Sequence, residues 1–153
     1  HRGISDHIGY CTDVEIGLSI YEPFGIAQLE PLTFGGICVI SNVCGCAGFL
    51  RDVTDDMDVK NVIVADYTNL QTRDCVDIQD MLRIDREIRT RIEANVSEKI
   101  AMQICSRLPT SEFEIAEMVE TGYKLARNMS WDVVVNNYML KTLKPVEQKV
   151  RTH

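Results

Sequence analysis

Asp13-Val14-Glu15-Ile16-Gly17-Leu18 alternates in polarity with the period of a half-buried strand, and Ile37-Cys38-Val39-Ile40-Ser41 is a short, apolar, β-branched run of the kind buried on both faces of a sheet. A helix-sized segment lies between them. Strand, helix and strand in such short compass make a βαβ unit, whose strands lie parallel in one sheet with a right-handed crossover. Working outward, Asn61-Val62-Ile63-Val64-Ala65 supplies a third strand. From Ile78 the chain turns to strong helix formers without Gly or Pro through Arg107. Pro109-Thr110-Ser111 breaks that helix and offers an N-cap, with Glu114 as the partner of a capping box for a helix from Phe113 to Asn128. Ser130 is placed to cap a last helix, Trp131 to Leu143. The fold class expected is α/β, a Rossmann-like parallel sheet flanked by helices. Met102, Met118, Met129 and Met139 sit at helical spacings and are expected in the core.

The 153 residues suffice for one domain with a single core, so residues 1–153 are read as one domain with residues 130–143 a closing helix. With 45% hydrophobic and 25% charged residues the composition is that of a globular domain, and no apolar run reaches the roughly 20 residues of a spanning helix. The net charge of -7 speaks against nucleic acid as a partner and gives no general attraction to an anionic membrane surface. The charge is uneven: residues 1–50 carry one base and five acids, and residues 81–153 carry twelve bases and ten acids. Six cysteines lack both the CxxC pairs of a zinc site and the density of a secreted disulfide scaffold, which fits reduced, mostly buried thiols in a cytoplasmic setting. Cys44-Gly45-Cys46 is the one doublet close enough for a local metal or redox pair, and no third ligand stands at spacing.

Parallel sheets bind ligands beyond the carboxyl ends of their strands, where a helix N-terminus points at the ligand. The segment there is Ser19-Ile20-Tyr21-Glu22-Pro23-Phe24-Gly25-Ile26-Ala27-Gln28-Leu29-Glu30. Pro23 pre-sets a turn and Gly25 permits close backbone approach, so the amides of Phe24, Gly25 and Ile26 are expected as unpaired N–H groups at a helix start, suited to sugar hydroxyls or phosphate oxygens. Glu22 precedes the helix and Glu30 lies more than a turn inside it, so one long ligand is able to touch both. Pro31 falls inside the expected helix and predicts a kink near Ala27.

These residues resemble the C-terminal, donor-binding domain of retaining nucleotide-sugar glycosyltransferases of the two-domain GT-B architecture, the group that includes glycogen synthase. The resemblance is carried by an E-x7-E motif, Glu22 to Glu30, with the strand Asp13 to Leu18 before it and Gly35 and the strand to Ser41 after it. Gly45 and Gly48 are similar to the family's next glycine-containing loop, and Trp131 to Leu143 is similar to its closing helix. By position the resemblance implies that Glu22 holds donor-sugar hydroxyls near the reacting centre as the catalytic carboxylate, that the amides of Phe24, Gly25 and Ile26 hold sugar or phosphate oxygens, and that Glu30 binds the ribose. Tyr21 is a candidate contact for a base or ring. The resemblance further implies a nucleotide-diphosphate sugar as substrate, no cofactor and no metal, and an N-terminal acceptor-binding domain as partner. The family's diphosphate-neutralising Arg and Lys have no counterpart among Arg2, Arg51 and Lys60. Two other functions fit the same architecture: a nucleotide-sugar epimerase and a non-catalytic interaction module derived from a transferase.

Overall fold

The computed structural model describes residues 13–19, 22–68, 79 and 82–143. Tyr21 and its expected ring contact lie outside the described residues. Three strands, β1 (Val14–Gly17), β2 (Ile37–Ser41) and β3 (Val62–Ala65), form a parallel sheet in the order β1-β2-β3. Val14 stands opposite Ile37, and Cys38 opposite Val62. The continuous apolar run of β2 is buried at every position, as a central strand requires. The molecule is thus α/β with a small parallel sheet and flanking helices, a pattern compatible with a Rossmann-like fold.

Strand alternation divides the core into two. Cys38 and Ile40 face one side with Val62, where they meet Leu29, Leu32, Ala47 and Leu50. Ile37 and Val39 face the other with Ile63 and Ala65, under Ile100 and Met118. The first layer comes from the two crossover segments, a 3-10 helix (Ala27–Phe34) and α1 (Gly45–Thr54); the second from α2 (Arg86–Arg107). Helix α3 (Glu112–Arg127) reaches both cores, with Met118 in one and Leu125 in the other.

The first crossover is not the α-helix expected. It winds as a 3-10 helix over its whole length, with Leu29 N–H donating to Ile26 O at 2.9 Å and Gln28 N–H to Gly25 O at 3.2 Å. Pro31 favours this: in an α-helix its ring would strike the carbonyl of Ala27, a clash that the tighter winding relieves, while its missing N–H costs one bond in either winding. The whole segment rewinds in place of the expected kink.

Helix α2 also departs from expectation. Residues 83–85 are not helical, and the Asp85 carboxylate accepts the Ile88 N–H at 2.8 Å, so a new helix starts at Arg86 in place of continuous helix from Ile78. At the start of α3, Ser111 Oγ accepts the Glu114 N–H at 3.2 Å as a capping box requires. The Glu114 carboxylate reaches one residue further out than expected, to Thr110 N–H at 2.7 Å and Oγ1 at 2.8 Å. The closing helix is α4 (Trp131–Val134) continued by a π-helical turn (Val135–Met139) in which Leu140 N–H donates to Val135 O. Ser130 occupies its N-cap without a side-chain hydrogen bond. Of the four methionines expected in the core, Met118 and Met129 pack there, but Met102 is exposed on α2, which buries Ile100, and Met139 is exposed in the π-helical turn, which buries no residue. No helix among the described residues is long and apolar enough to cross a membrane.

Candidate functional site

The loop after β1 is built around Glu22. Its carboxylate turns back on its own chain, where Oε1 accepts the amides of Phe24 at 3.4 Å and Gly25 at 3.3 Å. Two of the three amides expected to stand unpaired are therefore held by the site's own carboxylate. Both bonds are longer than the 2.9–3.0 Å mode for N–H···O, so an incoming oxygen exchanges with them at small cost. The backbone carbonyl of Glu22 accepts the Gly45 N–H at 2.9 Å, which ties the loop to the first residue of α1. Gly25 adopts a left-handed φ of 64°, open to glycine at little cost, and Ile26 starts the 3-10 helix. Phe24 and Ile26 project their side chains outward, 75% and 64% exposed, so an apolar rim flanks the Glu22 turn.

The winding of the next segment decides where Glu30 lies. With three residues per turn, Ala27, Glu30 and Thr33 line up on the exposed side, while Leu29 and Leu32 are buried. Thr33 Oγ1 donates to the Glu30 backbone carbonyl at 2.7 Å, and Glu30 is exposed. Glu22, Phe24 and Gly25 are thus brought together in one turn, and Glu30 stands on a surface line further along the same element.

Beneath this loop lies a polar cluster within the core. Cys44 and Cys46 bring their sulfurs to 3.1 Å, and Gln28 Oε1 accepts from Cys44 Sγ at 3.0 Å and from Cys46 Sγ at 3.6 Å. Gln28 Nε2 in turn donates to Ser19 Oγ at 3.1 Å. A side chain on Gly25 would run into both sulfurs, so the loop rests directly on the thiols. Burial first, and the neighbouring Cys44 thiol next, push the Cys46 thiol up to about 12; burial likewise pushes Cys38 up to about 12. The described cysteines are all free, Cys38, Cys44 and Cys46 buried and Cys105 exposed. Among the described residues no group of three or more His, Cys, Asp or Glu is arranged to hold a metal ion.

Reading the sequence missed a second polar cluster, at the carboxyl ends of the neighbouring strands. Asn42, just after β2, donates from Nδ2 to Asp66 Oδ1 at 2.6 Å and to Thr68 Oγ1 at 2.9 Å, while Asp66 Oδ1 also accepts Thr68 N–H at 2.9 Å. Nearby a cavity of about 610 Å³ opens against α2, lined among others by Leu18, Ser41, Tyr67, Arg89, Ile92 and Glu93. Leu18, Ser41 and Tyr67 come from the carboxyl ends of all three strands. Burial, with Glu93 adding to it, raises the Tyr67 hydroxyl above its ordinary value. The signal in the sequence was available: a polar residue directly after each apolar strand, Asn42 and Asp66, marks where parallel sheets receive ligands.

Over 104 residues the chain is 29% identical to the glycogen [starch] synthase of Dictyostelium discoideum, a match covering 63% of this chain and 12% of that protein. The chain thus spans about an eighth of the length of that relative. No family model matches the chain, and no solved structure matches it.

Proposed function

We propose that this chain is the donor-binding part of a retaining glycosyltransferase of GT-B architecture, which moves a sugar from a nucleotide-diphosphate sugar to an acceptor hydroxyl. The observation that carries the reading is the Glu22 turn: a half-buried carboxylate at the carboxyl end of a parallel strand, holding the Phe24 and Gly25 amides around itself and fixed to the N-terminus of α1. The partial likeness to a glycogen [starch] synthase supports it.

In this reading the donor sugar presents hydroxyls to Glu22, since a carboxylate accepts two at once, each such bond worth roughly 1.5–3 kcal/mol. The amides of Phe24 and Gly25, released from Glu22 as the sugar arrives, hold sugar or phosphate oxygens together with that of Ile26. Glu30, already in solvent, takes the ribose hydroxyls without a change of conformation. The leaving diphosphate assists removal of the acceptor proton, so Glu22 works by positioning and electrostatics, with no metal in the scheme. An acceptor-binding domain supplies the other wall of the site.

Uridine, guanosine and adenosine diphosphates, titrated to millimolar concentration while backbone amide resonances are followed by NMR, test this. Saturable shifts at Phe24, Gly25 and Ile26 with one of them are expected. Absence of shifts there with all three overturns the reading.

A further inference from the structure

Cys44 and Cys46 are placed close enough to be linked chemically. Their sulfurs stand 3.1 Å apart, in the same residue triplet that turns the chain from β2 into α1, and both rest on one acceptor, Gln28 Oε1. We propose that Cys44-Gly45-Cys46 is a thiol-oxidation site at which Cys44 and Cys46 join in a reversible intramolecular disulfide beneath the Glu22 loop. Closure asks the sulfurs to move from 3.1 Å to a bond of roughly 2.05 Å, about 1 Å of travel for two short side chains.

The oxidant is a small-molecule disulfide such as glutathione disulfide. Cys44, after losing its proton to water, attacks one sulfur of the oxidant; the S–S bond of the oxidant breaks and one glutathione leaves as thiolate, which takes up a proton. Cys46 then gives up its proton and attacks Cys44 Sγ, expelling the second glutathione. Two protein thiols are oxidised, one disulfide is reduced to two thiols, and the protons balance. Cys46 rests as a protonated thiol, pushed up to about 12 by burial, so it is not the first attacker and closes the ring only after losing its proton. Both cysteines are nearly covered, Cys44 4% and Cys46 2% exposed, and Gly25, itself buried, lies directly over their sulfurs in the turn whose Pro23 and Phe24 are exposed. Oxidation therefore waits on opening of that turn.

The disulfide carries no S–H, so Gln28 Oε1 loses both donors when it forms. The Gln28 amide also holds Ser19 through Nε2, and Ser19 lies between β1 and the Glu22 turn. Oxidation thus removes a support from the loop without touching Glu22 itself. The inference does not depend on what Glu22 binds, so it stands or falls separately from the donor-site reading.

The test uses the unaltered chain equilibrated in glutathione buffers of increasing oxidised fraction, acid-quenched, alkylated and cut with chymotrypsin. The peptide Gly35–Phe49 holds Cys38, Cys44 and Cys46 together, and exposed Cys105 reports that the oxidant is active. Expected is a peptide with Cys38 alkylated, a mass lower by two hydrogens, and no fragmentation between Cys44 and Cys46, all reversed by dithiothreitol. Cys46→Ser should leave glutathione trapped on Cys44. Alkylation of both Cys44 and Cys46 while Cys105 is glutathionylated overturns the proposal, as does separate glutathionylation of the two without ring closure.

Discussion

The amide of Gly45 donates to the carbonyl of Glu22 at 2.9 Å, and a side chain on Gly45 would collide with the carbonyl of Pro23 one residue on. The first residue of α1 and the turn carrying the candidate catalytic carboxylate are thereby one unit. Glycine at this point is a requirement of close approach between two backbones.

Alanine substitutions within α1 should therefore split in sign. Gly48 has nothing within 4 Å of an added Cβ, so Gly48→Ala should stabilise by up to about 1 kcal/mol through helix propensity. Gly45→Ala gains the same propensity but overpacks against backbone that cannot swing away, and a net loss of roughly 1–3 kcal/mol is expected. Urea midpoints at constant m-value measure both; a stabilising Gly45→Ala would show that Gly45 is not under steric constraint.

Arg107 should matter far more than its ion-pair partner. Its guanidinium donates at 2.7 Å to the carbonyls of Val59 and Val62, and at 2.9 and 3.1 Å to the two oxygens of Asp58. Removing it strips a charged donor from two backbone acceptors beside β3, so Arg107→Ala should cost roughly 2–3 kcal/mol. The Asp58 side chain is 82% exposed, and Asp58→Ala should cost less than about 1 kcal/mol, shrinking further in salt. Thermal unfolding at low and high ionic strength separates the two contributions.

The α3 cap predicts a pH dependence. Hydrogen bonds from the Thr110 backbone, then from the Thr110 hydroxyl, hold the Glu114 carboxyl below its ordinary value of 4.5. A carboxyl lowered in the folded state stabilises above its unfolded value, and that contribution fades as the pH falls through the folded one. Glu114→Gln should accordingly destabilise at pH 7, and the difference from the parent should shrink as the pH falls below 4.5 and close once it is below the lowered folded value. A difference that persists unchanged into acid would mean the carboxylate charge is irrelevant to the cap.

The two carboxylates of the donor-site reading should fail differently. Glu30→Ala should weaken the nucleotide diphosphate roughly 10- to 100-fold, the value of one charge-assisted hydrogen bond. Glu22→Ala should leave that affinity nearly intact while abolishing both transfer and any gain in affinity that the sugar brings. Comparative titration with nucleotide diphosphate and nucleotide-diphosphate sugar distinguishes them.

The strands were legible in the sequence because a buried parallel strand must be apolar on both faces, and Ile37–Ser41 has no other economical reading. The Ser111 cap was equally plain, being a matter of a side chain and an amide three residues away. The coarse α/β architecture followed from the order of these local signals. The exposed line of Glu30, the tie of the Glu22 turn to Gly45 and the seating of Cys44 and Cys46 on Gln28 were decided by contacts between distant segments. Pro31 announced a disturbance, but whether it kinks or rewinds the crossover depends on Leu29 and Leu32 finding the β2 face. Asn42, Asp66 and Thr68 are ordinary loop residues until β2 and β3 lie side by side and bring them within 3 Å. Local chemistry sets which elements form; only packing, where each buried group must find volume and each polar atom a partner, sets which side chains meet at the site.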